Sequence, residues 1–443
     1  MKLLILSFYY PPDLCAGSFR TLALTTALEK YSSRGVEVDL FTTQPNRYAE
    51  LSNSSENYED KGWLRINRID LPTHQSGMVD QAKAFFVYAT AVRSLTKNGD
   101  WDLVYATSSR LMTAVLGAYV SRKLSVPLYL DIRDIFTDTM KDVLNGSALR
   151  QLMPVFRWLE RYSFKTATRL NVVSAGFLDH MRQINPNLKC SVFTNGIDGD
   201  FLTTNFDKEL FCGELPLILY AGNIGEGQGL HRIIPGAAEM LNRTVRFRII
   251  GNGGRLPQLK SALEISKITN VELQDSIPRN ALMNEYKAAD ILFLHLNNYP
   301  AFRKVIPSKI FEYAATGKPI VAGVSGYAAE FLRQEIPDVQ IFDPCDVWGM
   351  SRAVVSALKA NDTTDRNAFC MTFNRTKIMD RLAADILSTP CLQPKHNLLH
   401  KKFIRTCFNE GRGHSFICWQ RCKKACGVIF KRAYLRIKSC ITK

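Results

Sequence analysis

Twice along the chain, short β-branched or leucine-rich runs alternate with longer amphipathic stretches, the pattern of βαβ units built on a parallel sheet. In the first series the strand candidates are Leu3–Phe8, Val36–Thr42, Leu103–Ala106, Leu128–Asp131, Leu170–Val173 and Ser191–Thr194. Gly17–Tyr31, Gln81–Thr96, Leu111–Leu124, Arg150–Lys165 and Ala175–Ile184 are the helices expected between them. Asn195-Gly196-Ile197-Asp198 interrupts the pattern, and the aperiodic stretch up to Leu215-Pro216 suits a linker. The second series predicts strands at Leu217–Ala221, Arg246–Ile250, Val271–Gln274, Ile291–His295 and Ile320–Ala322. Its helices are expected near His231–Leu241, Leu256–Ile265, Arg279–Ala288 and Lys309–Thr316. Val347–Leu358 and Lys377–Leu387 are helical in period with no clear strand after them, and are expected to cross back and brace the first domain.

A chain of 443 residues exceeds the roughly 100 to 200 residues of one domain, so two doubly wound domains are expected. The boundaries expected are 1–195 for a first doubly wound domain, 196–215 for the linker, 216–370 for a second and 371–390 for a crossing helix. Residues 391–443 form a tail of different composition, with thirteen Lys plus Arg against the single acid Glu410 and six of the eleven cysteines. No apolar run approaches the roughly 18 residues of a membrane span, and Met1–Tyr10 reads as a buried strand, not an export signal. A cytoplasmic location with reduced cysteines is therefore expected, Cys15, Cys190, Cys212, Cys345 and Cys370 being scattered like core residues.

In open α/β sheets ligands bind beyond the carboxyl ends of the strands, so the loops that follow strands are the candidate sites. Tyr10-Pro11-Pro12 with Ala16-Gly17-Ser18 follows the first strand, and its small residues suit either a close backbone approach to a ligand or only a tight strand-to-helix turn. Gly222-Asn223-Ile224-Gly225 with Gly227-Gln228-Gly229 follows the first strand of the second series, and Gly251-Asn252-Gly253-Gly254 repeats the arrangement one unit later. Both have the composition of a phosphate cradle, without the third-glycine spacing of a dinucleotide fingerprint.

The most informative segment is Ile306–Ile320. Pro307 and Ser308 start a helix that Gly317 and Pro319 stop, and Lys309 and Glu312 stand three apart on one face of it. A carboxylate there can accept both hydroxyls of a ribose while the ammonium meets phosphate; the alternative is a solvated ion pair on a helix surface. Asp134, after the fourth predicted strand, is either a contact to the reacting sugar or acceptor or a helix cap.

These motifs together resemble a family-four retaining glycosyltransferase of the GT-B fold, of the bacterial type that builds surface polysaccharides such as O-antigen from amino-sugar nucleotides. The resemblance covers roughly residues 1–390 and is carried by Phe8–Pro12, Asp131–Asp134, Thr194–Asp198, Tyr220–Gly225 and Pro307–Pro319. It implies two Rossmann-like domains facing a cleft. In the second, Glu312 would bind the ribose, with Ser308, Lys309 and the loops carrying Gly222, Asn223, Gly225, Gln228, Gly251 and Gly253 around the diphosphate and base. The first would present Gly17 and the Arg133-Asp134 loop to the acceptor and reacting sugar. Two departures stand out. Where many relatives carry Arg and Lys in the first glycine loop, this chain has Asn223 and Gln228, and Lys304 replaces the usual glutamate eight residues before Glu312.

The implied reaction moves a sugar, an N-acetylated amino sugar among the implied donors, from a nucleotide-diphosphate sugar, UDP-linked, to a polyprenyl-linked or saccharide acceptor. It needs no cofactor, metal or protein nucleophile, and the catalytic candidates are Asp134, Lys309 and Glu312. A sugar-nucleotide epimerase of similar architecture and a non-catalytic membrane-associated assembly protein are the alternatives. The basic, aromatic tail suits an anionic membrane surface at the inner face of the plasma membrane in preference to nucleic acid, and Cys418, Cys422 and Cys426 with His414 offer an unusual spacing for zinc.

Overall fold

The computed structural model describes residues 1–13, 15–45, 55–72, 78–108, 110–143, 151–206, 215–336, 338–360 and 364–390. The expectations for the tail and for Cys212 lie outside the described residues.

The first sheet holds β1 (Lys2–Leu6), β2 (Glu37–Thr43), β3 (Tyr58–Asp60), β4 (Leu64–Ile69), β5 (Leu103–Ser108), β6 (Leu128–Ile132), β7 (Arg169–Val172) and β8 (Lys189–Val192). Their order is β3-β4-β2-β1-β5-β6-β7-β8, and the pairing is parallel except at the β3–β4 edge. The pleat explains the unbroken apolar run of β1. Leu4 and Leu6 face one layer of helices and Leu3 and Ile5 the other, and all four are fully buried.

Helix α1 (Ala16–Glu29) covers one face of this sheet. The other face is covered by α2 (Met78–Leu95), α3 (Leu111–Leu124), α5 (Met153–Thr166) and α6 (Leu178–Ile184), and the short α4 (Phe136–Val143) leads from β6 toward α5. Strands β3 and β4 and helix α4 had no counterpart in the sequence reading. β4 alternates buried and half-buried positions one strand in from the sheet edge, and that short polar alternation resembles a loop.

After α7 (Gly199–Thr203), whose Phe201 packs into the second core, a six-stranded parallel sheet follows. Its strands are β9 (Leu217–Ala221), β10 (Arg246–Ile250), β11 (Val271–Gln274), β12 (Ile291–His295), β13 (Ile320–Gly323) and β14 (Gln340–Phe342), in the order β11-β10-β9-β12-β13-β14. Helices α8 (Leu230–Met240), α9 (Leu256–Ile265) and α13 (Val347–Ala360) cover one face. The other carries α10 (Arg279–Ala288), α11 (Lys309–Ala315), α12 (Tyr327–Glu335) and α14 (Asn367–Thr372).

The segment Val347–Leu358, expected to brace the first domain, lies within α13 and packs on the second sheet instead, because Val354 and Ala357 bury against Ile233 and Ile234 of α8. The return is made by α15 (Arg375–Leu387) alone. Its Ile378, Met379, Leu382 and Ile386 bury beside Leu24 and Leu28 of α1, each contributing roughly 1.5–3 kcal/mol as an upper figure. Asp385 of α15 accepts from Tyr129 at 2.7 Å, Ser191 at 3.0 Å and Arg169 at 2.7 Å, fastening the helix to the first sheet.

The two passages between the lobes run side by side. The Ile197 amide donates to the Phe373 carbonyl at 2.7 Å and the Arg375 amide to the Ile197 carbonyl at 2.9 Å. Among the described residues no helix is long and apolar enough to cross a membrane.

Candidate functional site

The carboxyl ends of both sheets carry the candidate residues, and in the second lobe two glycine loops interlock. The loop after β9 and the loop after β10 are joined by Ile224 N–H to Asn252 O at 2.9 Å and Gly222 N–H to Ile250 O at 2.9 Å. A Cβ on Gly251, at φ +142°, would stand 1.9 Å from the Gly222 carbonyl oxygen, and one on Gly253, at φ +159°, 2.5 Å from that of Ile224. Only glycine permits this backbone-to-backbone approach. Within the first loop Gln228 Oε1 accepts from Asn223 Nδ2 at 2.9 Å and the Gly225 amide at 3.3 Å. Glu226 accepts from Arg255 at 2.5 Å and Tyr299 at 2.6 Å. The cations beside this loop, Arg232 and Arg255, are thus both paired to Glu226.

His295, at the end of β12, holds the same loop from below. Its Nδ1 lies 2.6 Å from the Gln228 carbonyl oxygen and its Nε2 takes the Cys345 amide at 2.9 Å, which makes it a neutral ring protonated on Nδ1. Burial pushes its pKa down to about 4. The unfolded chain protonates this ring below about pH 6.5 and the folded one does not, so its contribution to stability is full above that pH and is lost as pH falls toward 4. The unfolding midpoint should therefore drop between pH 7 and pH 5, and drop less in His295→Gln; equal slopes in thermal melts would reject the assignment.

Helix α11 presents Lys309 and Glu312 on one face. The Lys309 ammonium donates to Glu312 Oε2 at 2.7 Å and to the Tyr286 hydroxyl at 2.9 Å, and that hydroxyl donates to the same carboxylate oxygen at 3.1 Å. The side chains retain 26% and 14% of their exposure, so the pair is neither sealed nor solvated. Glu312 Oε1 takes no hydrogen bond from a described residue. Burial, the largest influence, opposes its charge, but Lys309, with Arg279 and Arg375 further off, outweighs it and holds the carboxyl below the usual range. Tyr286 comes from α10, which Lys318 positions by donating to the carbonyls of Lys287 at 2.8 Å and Ala289 at 2.6 Å.

The pair lies at the junction of the lobes. Arg279, bonded to Asp198 at 2.5 Å, stands 5.1 Å over the ring of Phe19 in the first turns of α1. Two residues earlier Gly17 meets Arg133, whose Nη1 would lie 2.5 Å from a Cβ at that position. Arg133 forms no salt bridge with a described residue, although Asp131 is near enough to favour its charge. Its Nε is buried without a partner, and burial first, then the neighbouring charge of Arg20, holds its pKa below the usual arginine value. The nearby Asp131 is committed to Arg20 through two hydrogen bonds of 2.8 and 2.9 Å, and also accepts from Asn171 at 2.7 Å. Asp134 is exposed and accepts from Thr139 Oγ1 at 3.3 Å. The Ser308 side chain makes no capping hydrogen bond.

The structure therefore brings Lys309 to Glu312, gathers Gly222, Asn223, Gly225, Gln228, Gly251 and Gly253 into one interlocked pair of loops, and sets Gly17 and Asp134 on the opposite lobe. It engages the Lys309 ammonium inside the pair instead of leaving it free for phosphate. Tyr286 and Arg279, both missed in sequence, belong to no motif and reach the site only through the placement of α10.

Comparison with known proteins agrees with this architecture. The family description "Glycosyl transferase 4-like domain" matches residues 20–196, and "Glycosyl transferases group 1" matches residues 203–369. A curated Escherichia coli (strain K12) protein, the putative colanic acid biosynthesis glycosyl transferase WcaI, is 31% identical over 111 residues, which span 25% of this chain and 27% of that protein's length. Among solved structures, Anabaena HepE in complex with UDP-glucose superposes with a TM-score of 0.62 at 16% identity, over 88% of this chain and 100% of that one. WaaG, a glycosyltransferase involved in lipopolysaccharide biosynthesis, gives 0.61 at 14% identity, over 87% and 100%. At these identities the likeness is one of fold, the two-lobed GT-B arrangement.

Proposed function

With a 4-like domain followed by a group 1 domain, the chain is a glycosyltransferase of the GT-B fold, and on that premise we propose that its donor is a nucleotide-diphosphate sugar whose ribose binds Glu312. The observation that carries this reading is the half-buried carboxylate at the lobe junction, with Oε2 held by Lys309 and Tyr286 and Oε1 free to accept a hydroxyl. A UDP-linked donor accords with the UDP-glucose bound to the HepE structure. An acceptor that is polyprenyl-linked or a saccharide, in surface polysaccharide synthesis, accords with the colanic acid relative. The amino sugar and the retained anomeric configuration rest on the sequence resemblance.

In the proposed reaction the bond from the anomeric carbon to the diphosphate breaks, the acceptor oxygen bonds to that carbon on the same face, and the departing phosphate takes the acceptor's proton. Catalysis is then positioning and charge stabilisation. The cations around Glu312 and the glycine loops are paired within the protein: Lys309 with Glu312, Arg279 and Arg375 with Asp198, Arg232 and Arg255 with Glu226, and Lys304 with Asp138 of the first lobe. We assign the countercharge for the diphosphate to Arg133 of the first lobe, a half-buried guanidinium that forms no salt bridge with a described residue. Asp134, exposed one residue on, is the proposed contact to the acceptor.

Incubation with a panel of nucleotide sugars, with and without polyprenyl-diphosphate-linked sugar, tests the reaction. Acceptor-dependent release of nucleotide is expected, and isomerisation without acceptor would overturn the reading. Arg133→Met should weaken UDP binding by about tenfold to a hundredfold, the worth of one charge-assisted hydrogen bond, and leave uridine binding nearly unchanged. An equal loss for both ligands would remove Arg133 from the diphosphate.

A further inference from the structure

Helices α2, α3 and α5 form a layer on the face of the first sheet opposite α1 and α15, and their inward residues, among them Tyr88, Val92, Leu116 and Phe164, join one core. The outward face is not ordinary. Phe86 is 71% exposed, Trp158 63% and Val155 51%. Isolated apolar side chains on a surface need no explanation, but here they accompany a row of aromatic and cationic contacts that crosses all three helices. The Arg93 guanidinium of α2 lies 5.3 Å from the Tyr119 ring of α3. On the same helix Arg122 lies 5.5 Å from the Tyr162 ring of α5, which stacks on Trp158 at 5.9 Å.

The exposed charges of these three helices have one sign. Arg93, Arg122, Lys123, Arg157, Arg161 and Lys165 are exposed. Of the acids among the described residues of the three helices, Asp80 is paired with Lys83 at 3.5 Å, and Glu160 is buried against Thr137 and His180. We propose that this face docks on an anionic lipid bilayer. Indole and phenyl rings favour the depth of the headgroups, where one end of the ring is apolar and the other wet. Arginine and lysine stems lie along apolar surface while their heads meet lipid phosphate. A bilayer matches both chemistries over the breadth of three helices, and the inference stands independently of the donor assignment.

The test uses the full chain, so that the basic residues 391–443 stay present in every variant. Co-sedimentation with vesicles of phosphatidylcholine and phosphatidylglycerol is compared for the parent, Val155→Ser/Trp158→Ser and Arg157→Glu/Arg161→Glu. All four positions are exposed, so melting temperatures should be unchanged. A several-fold fall in the bound fraction for both variants is expected, together with little binding of the parent to pure phosphatidylcholine. Undiminished binding of the variants overturns the proposal. So does a parent dimer that either variant dissociates while vesicle binding persists, since the face would then belong to a second copy.

Discussion

Glu312→Ala should lower the affinity for UDP by tenfold or more. In the proposed pose the carboxylate would make charge-assisted hydrogen bonds to ribose of roughly 1.5–3 kcal/mol each, and about 1.4 kcal/mol is tenfold. Two features of the site make the change informative. The Oε1 atom takes no hydrogen bond from a described residue, so its loss should be felt by the ligand first. The substitution also leaves Lys309 without its anion, and because that side chain retains 26% of its exposure, water can take over part of the interaction and limit the damage to the fold. Glu312→Gln separates the two effects, since it keeps an acceptor but removes the charge, and an intermediate affinity is expected. Calorimetric titration with UDP, alongside a thermal melt, reads both. Unchanged affinity in Glu312→Ala would place the ribose elsewhere.

Asp131→Ala should destabilise the first lobe by about 3–5 kcal/mol, the usual consequence of leaving a buried charge without its partner. The Arg20 and Asp131 side chains are 2% and 0% exposed, so no solvent is at hand to replace the carboxylate. Burial is the largest influence on Asp131 and opposes its charge, yet Arg20 outweighs it and keeps the group ionised. Arg20 also donates to the carbonyls of Thr194 at 2.7 Å and Phe193 at 3.0 Å, so the same cation ties α1 to the end of β8. A urea titration followed by circular dichroism measures the loss. The double change Arg20→Met/Asp131→Leu should recover much of it, because replacing both members of a buried pair by apolar groups is often close to neutral. A loss in Asp131→Ala below about 1 kcal/mol would mean that the pair is not buried as described.

The strands of the second lobe were legible because four of them, β9 to β12, are bounded by polar or turn residues that mark their ends, and β9 and β12 are buried throughout. The β3–β4 edge, α12 and β14 were not: three- to nine-residue elements give too few periods to separate from loop sequence. The destination of α13 was misread because amphipathic spacing says that a helix has a buried face but not which sheet buries it. At the site, Lys309 and Glu312 were legible from their spacing, and the glycine loops from their position after strands. The reason for Gly251 and Gly253 was not, since the contact that demands glycine is with a loop nearly thirty residues away. Nor could the sequence single out Arg133 from the other arginines, because being unpaired is a property of what surrounds a side chain and not of its neighbours in the chain.

The paired crossing at Ile197 and Phe373–Arg375 has a mechanical consequence. The two spans that join the lobes are bonded to each other there, so a rotation of one lobe against the other would turn about this line and would part the contacts of Lys304 with Ser174 and Asp138.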